Sequence, residues 1–188
     1  MSDESPTEHF EHLEHATHAA HSGDSFLAQV SVTIAILAVL AASVGSLETI
    51  ETAATINAKN DAVLLQNKAT DTWNFFQAKS IKKNAYQIAA SVGSGPVDDF
   101  KKKAKQYGTD EKELQDKGLA LEHQTDAKLE ISERHEHRHH VLTISVTLLH
   151  VSIAIATLAI IMRGARWPWY SAMALGAVGT LGAVFAYL

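Results

Sequence analysis

The sequence of 188 residues has no cysteine, which excludes disulfides and thiolate metal sites without fixing the compartment. Three prolines leave most of its length with nothing to interrupt a helix. No Lys or Arg precedes Lys59. A cleaved signal peptide needs a basic region ahead of its apolar core, so the first apolar segment is expected to stay in the mature protein. The most informative deficit is of charge. Ser25–Leu47, Val141–Met162 and Trp167–Leu188 hold no Asp, Glu, Lys or Arg, although the chain as a whole is 20% charged. Each run is 22 or 23 residues long. At ~1.5 Å rise per residue that makes ~33 Å of helix, against a hydrocarbon core of ~30 Å. Backbone in lipid must satisfy its own hydrogen bonds, so helix is the state these runs require. A soluble core of three buried helices fails on supply, because the sequence between the first two runs is too polar to cover them.

The fold class expected is therefore an all-α integral membrane protein. Transmembrane helices are expected over 25–47, 141–162 and 167–188, with a short basic loop at 163–166. Residues 1–24 form an acidic, histidine-rich tail with the triplets Glu8-His9-Phe10, Glu11-His12-Leu13 and Glu14-His15-Ala16. Residues 48–140 read as an extramembrane, coiled-coil-like antiparallel hairpin that turns at Gly93-Ser94-Gly95-Pro96. The two arms, Leu47–Val92 and Val97–His140, are nearly equal in length and correspond to ~65–70 Å of unbent helix. In the second arm Phe100, Tyr107, Leu114 and Leu121 fall seven apart beside Ala104 and Thr125, a seam for packing along another helix. In the first, Leu47, Ile50, Ala54, Leu64, Ala69, Trp73, Phe76, Ser80 and Ile88 recur at helical steps. Asn60, Asn67 and Asn74 also repeat every seven residues. They either fix register against a helix or face water. Leu65, Trp73, Phe75, Phe76 and Ile81 supply more apolar surface than one partner helix covers, so homo-oligomers are expected.

The third run opens with Trp167-Pro168-Trp169-Tyr170, an interfacial aromatic group. Small residues then line it: Ala172, Gly176 and Thr180 at four-residue steps, with Gly179 and Ala183 beside them. They are candidates for close helix packing and for association in lipid. Arg163 and Arg166 place the short loop, and with it the tail, on the cytoplasmic side. The hairpin would then face outward. Its 12 lysines argue the other way, but long loops count little under this rule.

The run Thr70-Asp71-Thr72-Trp73-Asn74-Phe75-Phe76-Gln77-Ala78-Lys79-Ser80-Ile81-Lys82 resembles a signature of a bacterial membrane family, domain of unknown function family 4337. The order of segments fits that family as well. The tail departs from it in having no basic residue ahead of the first span. The resemblance implies a bacterial membrane protein and implies no activity and no functional residues; with the Arg163/Arg166 loop inside, the location expected is the inner (cytoplasmic) membrane with a periplasmic hairpin.

Three groups compete as sites. In the tail, His9, His12 and His15 alternate with Glu8, Glu11 and Glu14, donors that suit Zn, Ni or Cu. A three-residue step drifts about 60° per repeat, so such a row does not share one face, and a solvated tail is the plainer reading. Ahead of the second span, His135 and His139 lie one turn apart, and His140 follows. They form a metal half-site or an interfacial belt. Arg134 and Arg138 beside them would repel a cation, and the His-Glu-x-x-His peptidase pattern is missing. Within the second span, His150 with Thr143 and Thr147 would line a pore, or would bond to a neighbouring hydroxyl. No phosphate loop, nucleophile elbow or apolar carboxylate pair points to an enzyme.

The function expected is a non-enzymatic, homo-oligomeric membrane scaffold or accessory subunit. The alternative is a channel or transition-metal-handling protein built on His150 and the histidine clusters. No cofactor is firmly implied. The partners expected are further copies of the chain, membrane lipids and a larger membrane complex, with no nucleic acid.

Overall fold

The computed structural model describes residues 25–93, 95–162 and 165–188. The tail, with His9, His12 and His15, and Arg163 of the short loop lie outside them. The described chain is all-helical: α1 spans Ser25–Val92, α2 Val97–Ile161 and α3 Trp167–Phe185. Among the described residues α1 and α2 each contain a stretch long and apolar enough to cross a membrane. The 19-residue α3 is also uncharged, but its aromatic start and three glycines leave it less apolar than those two stretches.

Both long helices cross the boundary between polar and charge-free sequence without a break, because no proline stands at either boundary. α1 ends ahead of Gly93 and Gly95, whose φ angles of 72° and 102° lie in the left-handed region that a side chain would strain. Asp98 and Asp99 then open α2, where carboxylates favour the positive end of the helix. α1 ends at Val92 and α2 begins at Val97, on either side of the Gly-Ser-Gly-Pro sequence.

Contacts divide the chain into two units, residues up to Ala53 with Arg134–Leu188, and Ala54–Glu133. In the second unit the partners of α1 climb from Asp61 through Trp73 and Lys79 to Tyr86, while those on α2 fall from Lys128 through Glu122 and Asp110 to Phe100. That pairing is antiparallel. The least exposed positions repeat every seven residues: Ala58, Leu65, Thr72, Lys79 and Tyr86 with Thr55, Ala62, Ala69, Phe76 and Lys83 on α1. Facing them on α2 are Phe100, Tyr107, Leu114, Leu121 and Lys128 with Ala104, Glu111, Gly118, Thr125 and Ser132.

The α2 seam is thus the one its sequence predicts. Apart from Ala69 and Phe76 the α1 seam is not. Leu47, Ile50, Leu64 and Ile88 are exposed, and the buried positions between Ala54 and Thr72 are mostly Ala and Thr. Asn60, Asn67 and Asn74 are exposed too, off the seam. Small side chains let two backbones run close together, which leaves no room for the larger residues. Toward the tip the seam changes character: Tyr86 stacks on Tyr107 with centroids 5.7 Å apart, and Lys79 bonds Asp110 at 2.7 Å.

Gly118 marks the tightest approach in this unit. A Cβ there would stand 2.9 Å from Cε2 of Trp73, whose indole N–H donates to Glu122 at 2.8 Å. Exchanging Gly for Ala in a helix ordinarily gains about 1 kcal/mol. Gly118→Ala is expected instead to destabilise, by about 1 kcal/mol net, because the tethered ring must move. Thermal unfolding followed by tryptophan emission checks both the sign and the displacement of the ring.

In the first unit α1 and α3 run parallel and α2 runs against both. Trp169 meets Phe26 edge-on and donates to Thr33 at one end, and Tyr187 reaches Glu51 at the other. Val30, Ile34, Leu37, Ala41 and Val44 of α1, Leu142, Leu149, Ile153 and Ala156 of α2, and Ala172 and Ala183 of α3 form the core. Ala172, Gly176, Gly179 and Ala183, the predicted small-residue stripe, are all buried. They serve packing within the chain: a Cβ on Gly176 would meet Leu37, and one on Gly179 would meet the Ser145 carbonyl. This unit reaches past both charge-free runs, to Ala53 on α1 and back to Arg134 on α2.

Candidate functional site

What extends the unit is a layer of polar groups at one end of the three-helix core. The same seven-residue step that buries Val30, Leu37 and Val44 brings Glu51 to the inside of α1, and the step through Ile34 and Ala41 brings Glu48 there. On α2 the seam through Leu114, Leu121 and Lys128 arrives at His135, and that through Thr125 and Ser132 at His139. Two carboxylates one turn apart therefore face two histidines one turn apart.

Glu51 is the centre. It is 5% exposed. One carboxylate oxygen lies 2.5 Å from His135 Nδ1. The other accepts the Tyr187 hydroxyl at 3.0 Å and has an Arg138 guanidinium nitrogen at 4.0 Å. Arg138 also sits over the Tyr187 ring, 5.2 Å from its centroid. Burial, the largest single influence, pushes the Glu51 carboxyl up; the hydrogen bonds from His135 and Tyr187 and the charges of His135 and Arg138 together outweigh it and hold the group below its ordinary value. An ionised carboxylate has no proton to give, so His135 donates through Nδ1.

The next layer is looser. Thr143 donates to Glu48 at 2.6 Å, His139 Nδ1 lies 3.7 Å from the same carboxylate oxygen, and that ring nitrogen is 3.0 Å from the Thr52 hydroxyl. Carboxylate, imidazole and hydroxyl groups here satisfy one another. That suits clamping three helices together at a fixed height.

The sequence-predicted residues distribute unevenly over this layer. His135 and His139 are in it, paired with Glu51 and Thr52. His140, one residue further on, is exposed on another face. Among the described residues no three His, Cys, Asp or Glu side chains come together in a way that would hold a metal ion. Thr143 is in the layer through Glu48, whereas Thr147 is exposed and bonds the carbonyl of Thr143. His150 is half-buried, two turns of α2 away from Thr143.

Glu48, Glu51, Arg138 and Tyr187 were not legible as site residues. The signal that finds the two carboxylates is the heptad: carried from Val30 and Ile34 without a slip, it lands on both. Tyr187 has no such signal, since only the packing of α3 brings it to Glu51.

Neither the curated proteins nor the solved structures contain a match to this chain. A family match does exist: the sequence model described as domain of unknown function (DUF4337) covers residues 26–188, all three helices except the first residue of α1. The all-helical chain with its two long apolar helices therefore belongs to the DUF4337 family.

Proposed function

We propose that this protein is a membrane-anchored, non-enzymatic scaffold that assembles with copies of itself. In this reading 25–47, 141–162 and 167–188 cross the bilayer, and 48–140 stands outside it. The inner membrane of a bacterium is the location proposed, with the tail and the Arg163/Arg166 loop in the cytoplasm and the hairpin in the periplasm.

One observation carries the reading. The first unit is covered with large apolar side chains that point outward: Val39, Ile36, Ile144, Leu158, Val178 and Leu181 are each about half exposed or more, and its charge-free runs offer no charged surface in their place. A water-facing helix bundle has the opposite pattern, with apolar groups in and charge out. Lipid is the solvent that matches this surface. Apart from Arg166 beside Phe26, the described charged residues of the unit gather instead at the end that holds the Glu51 layer, where the polar arm begins. A scaffold without catalysis fits that layer, whose acids, bases and hydroxyls are engaged with one another.

Alkaline carbonate extraction of membranes from cells making the full chain tests the anchor. The chain is expected to stay in the pellet, and protease added from the outer side is expected to cut within the hairpin. Release into the supernatant would overturn the membrane reading, and protection of the hairpin would reverse the sidedness.

A further inference from the structure

The unit Ala54–Glu133 repeats every seven residues on both helices, so its two outer faces compare position by position. On α1 the outermost positions are Ile56, Asn57 and Asn60 and their seven-residue successors. From Ile56 to Val92 these are 17 residues, all exposed, and a single one, Asp71, is charged. On α2 the equivalent positions from Lys102 to Glu133 are 14 residues, all exposed, of which eight are charged. The outward face of a helix in water is ordinarily the charged one. That of α2 obeys the rule, and that of α1 breaks it.

In place of charge the α1 face carries Ile56, Val63, Leu64, Ile81, Ile88 and Val92, each 53–69% exposed. Along one stripe of it run Asn60, Asn67 and Asn74, continued at the same step by Ile81 and Ile88. An amide donates and accepts at once, so an asparagine is satisfied by a copy of itself. Asparagines at one heptad position are a known means of fixing register between helices.

We propose that this face is a homotypic interface, covered by α1 of a second copy lying parallel and in register. Asn60, Asn67 and Asn74 then each meet the same residue of the other copy, as do Ile81 and Ile88. Reversing the second copy over the same span sets Asn60 against Ile88 and Asn67 against Ile81. Slipping it by one heptad sets Asn74 against Ile81. Each alternative buries an unpaired amide, which costs about 1–3 kcal/mol per group. A partner selected by charge has only Asp71 to read on this face, whereas a second copy matches it residue for residue. The parallel direction rests on the anchored reading above, in which every copy leaves the bilayer on the same side; the uncharged face does not.

The absence of native cysteine makes the test direct. Asn67→Cys and Ile81→Cys are placed singly in the full chain, with Lys112→Cys on the outer face of α2 as the control. Mild oxidation in native membranes is expected to carry most of the Asn67→Cys and Ile81→Cys chains to dimer mass and to leave the control monomeric. Replacing Asn60, Asn67 and Asn74 together by Lys is expected to reduce the detergent-solubilised assembly to single chains with helicity unchanged. No cross-link from either α1 variant, or one equally strong from the Lys112→Cys control, overturns the interface. A cross-link between co-expressed Asn60→Cys and Ile88→Cys chains overturns the parallel register. Carbonate extraction of the same preparations separates the two readings: an Asn67→Cys chain that is released yet still cross-links loses its anchor and keeps its interface.

Discussion

Exchanging His135 for alanine is expected to destabilise the unit that contains Glu51 by about 2 kcal/mol, toward the low end of the range for stripping a buried charged acceptor of its donor. The buried acceptor at 2.5 Å loses its principal donor and remains inside. Tyr187 at 3.0 Å and Arg138 at 4.0 Å moderate the loss, which is why the low end applies. Glu51→Met is expected to cost less. It removes the charge along with its bonds, and His135 and Tyr187 are exposed enough to turn to water. Thermal unfolding of the detergent-solubilised chain by circular dichroism measures both. If Glu51→Met proved the worse of the two, the carboxylate would be doing something other than answering His135.

The same site sets a pH dependence whose sign follows from the direction of its shift. Glu51 is held below its ordinary value of 4.5 in the folded chain. The folded state therefore prefers the carboxylate, and the stability this contributes is fully present above about pH 4.5 and is lost as the pH falls through the lower, folded value. The unfolding midpoint is expected to drop on acidification below about pH 4.5, and Glu51→Gln is expected to have lost its share of that drop. An acid limb identical in the two proteins would mean that Glu51 stays ionised for no structural return.

The second large effect is expected at Gly179. A Cβ there would lie 3.0 Å from the carbonyl oxygen of Ser145, with Leu149 at 3.2 Å and Leu148 at 3.3 Å. The nearest atom is backbone and cannot swing aside. Gly179→Ala is expected to cost about 1 kcal/mol and Gly179→Leu about 3 kcal/mol, the upper range for overpacking a close helix contact. Ala174→Leu, on the exposed side of the same helix, is expected to be neutral within about 0.5 kcal/mol. The variant tests more than packing. Tyr187 follows two residues after the end of α3, so forcing that helix away from α2 also removes a donor from Glu51, and Gly179→Leu and His135→Ala are expected to be less than additive. Strict additivity would separate the seating of α3 from the polar layer.

The parts of the fold that depend on local pattern were readable from residues alone. Three charge-free runs, a Gly-Ser-Gly-Pro turn and the spacing of Phe100, Tyr107, Leu114 and Leu121 each state their structural meaning within a few turns of helix. The stripe of Ala172, Gly176, Gly179 and Ala183 was also readable as a packing surface, though not what it packs against. Beyond Ala69 and Phe76 the α1 seam was not readable by hydropathy. Its buried positions are Ala and Thr while larger apolar residues face out, so a search for large apolar side chains selects the outer face. The Glu51 layer was hidden for a related reason: a carboxylate in a polar helix looks like surface unless the heptad is counted through from the apolar segment.

The sequence by itself determined that the chain is helical, where it turns back and which of its segments avoid charge, because each of these is a property of neighbours along the chain. Only the tertiary structure decided that Glu51 lies inside, that His135 and Tyr187 answer it, and that α1 keeps its small residues for α2 and turns its isoleucines and asparagines outward. Those facts depend on which helix faces occupy the same space, and residues 84 and 136 positions away from Glu51 decide them.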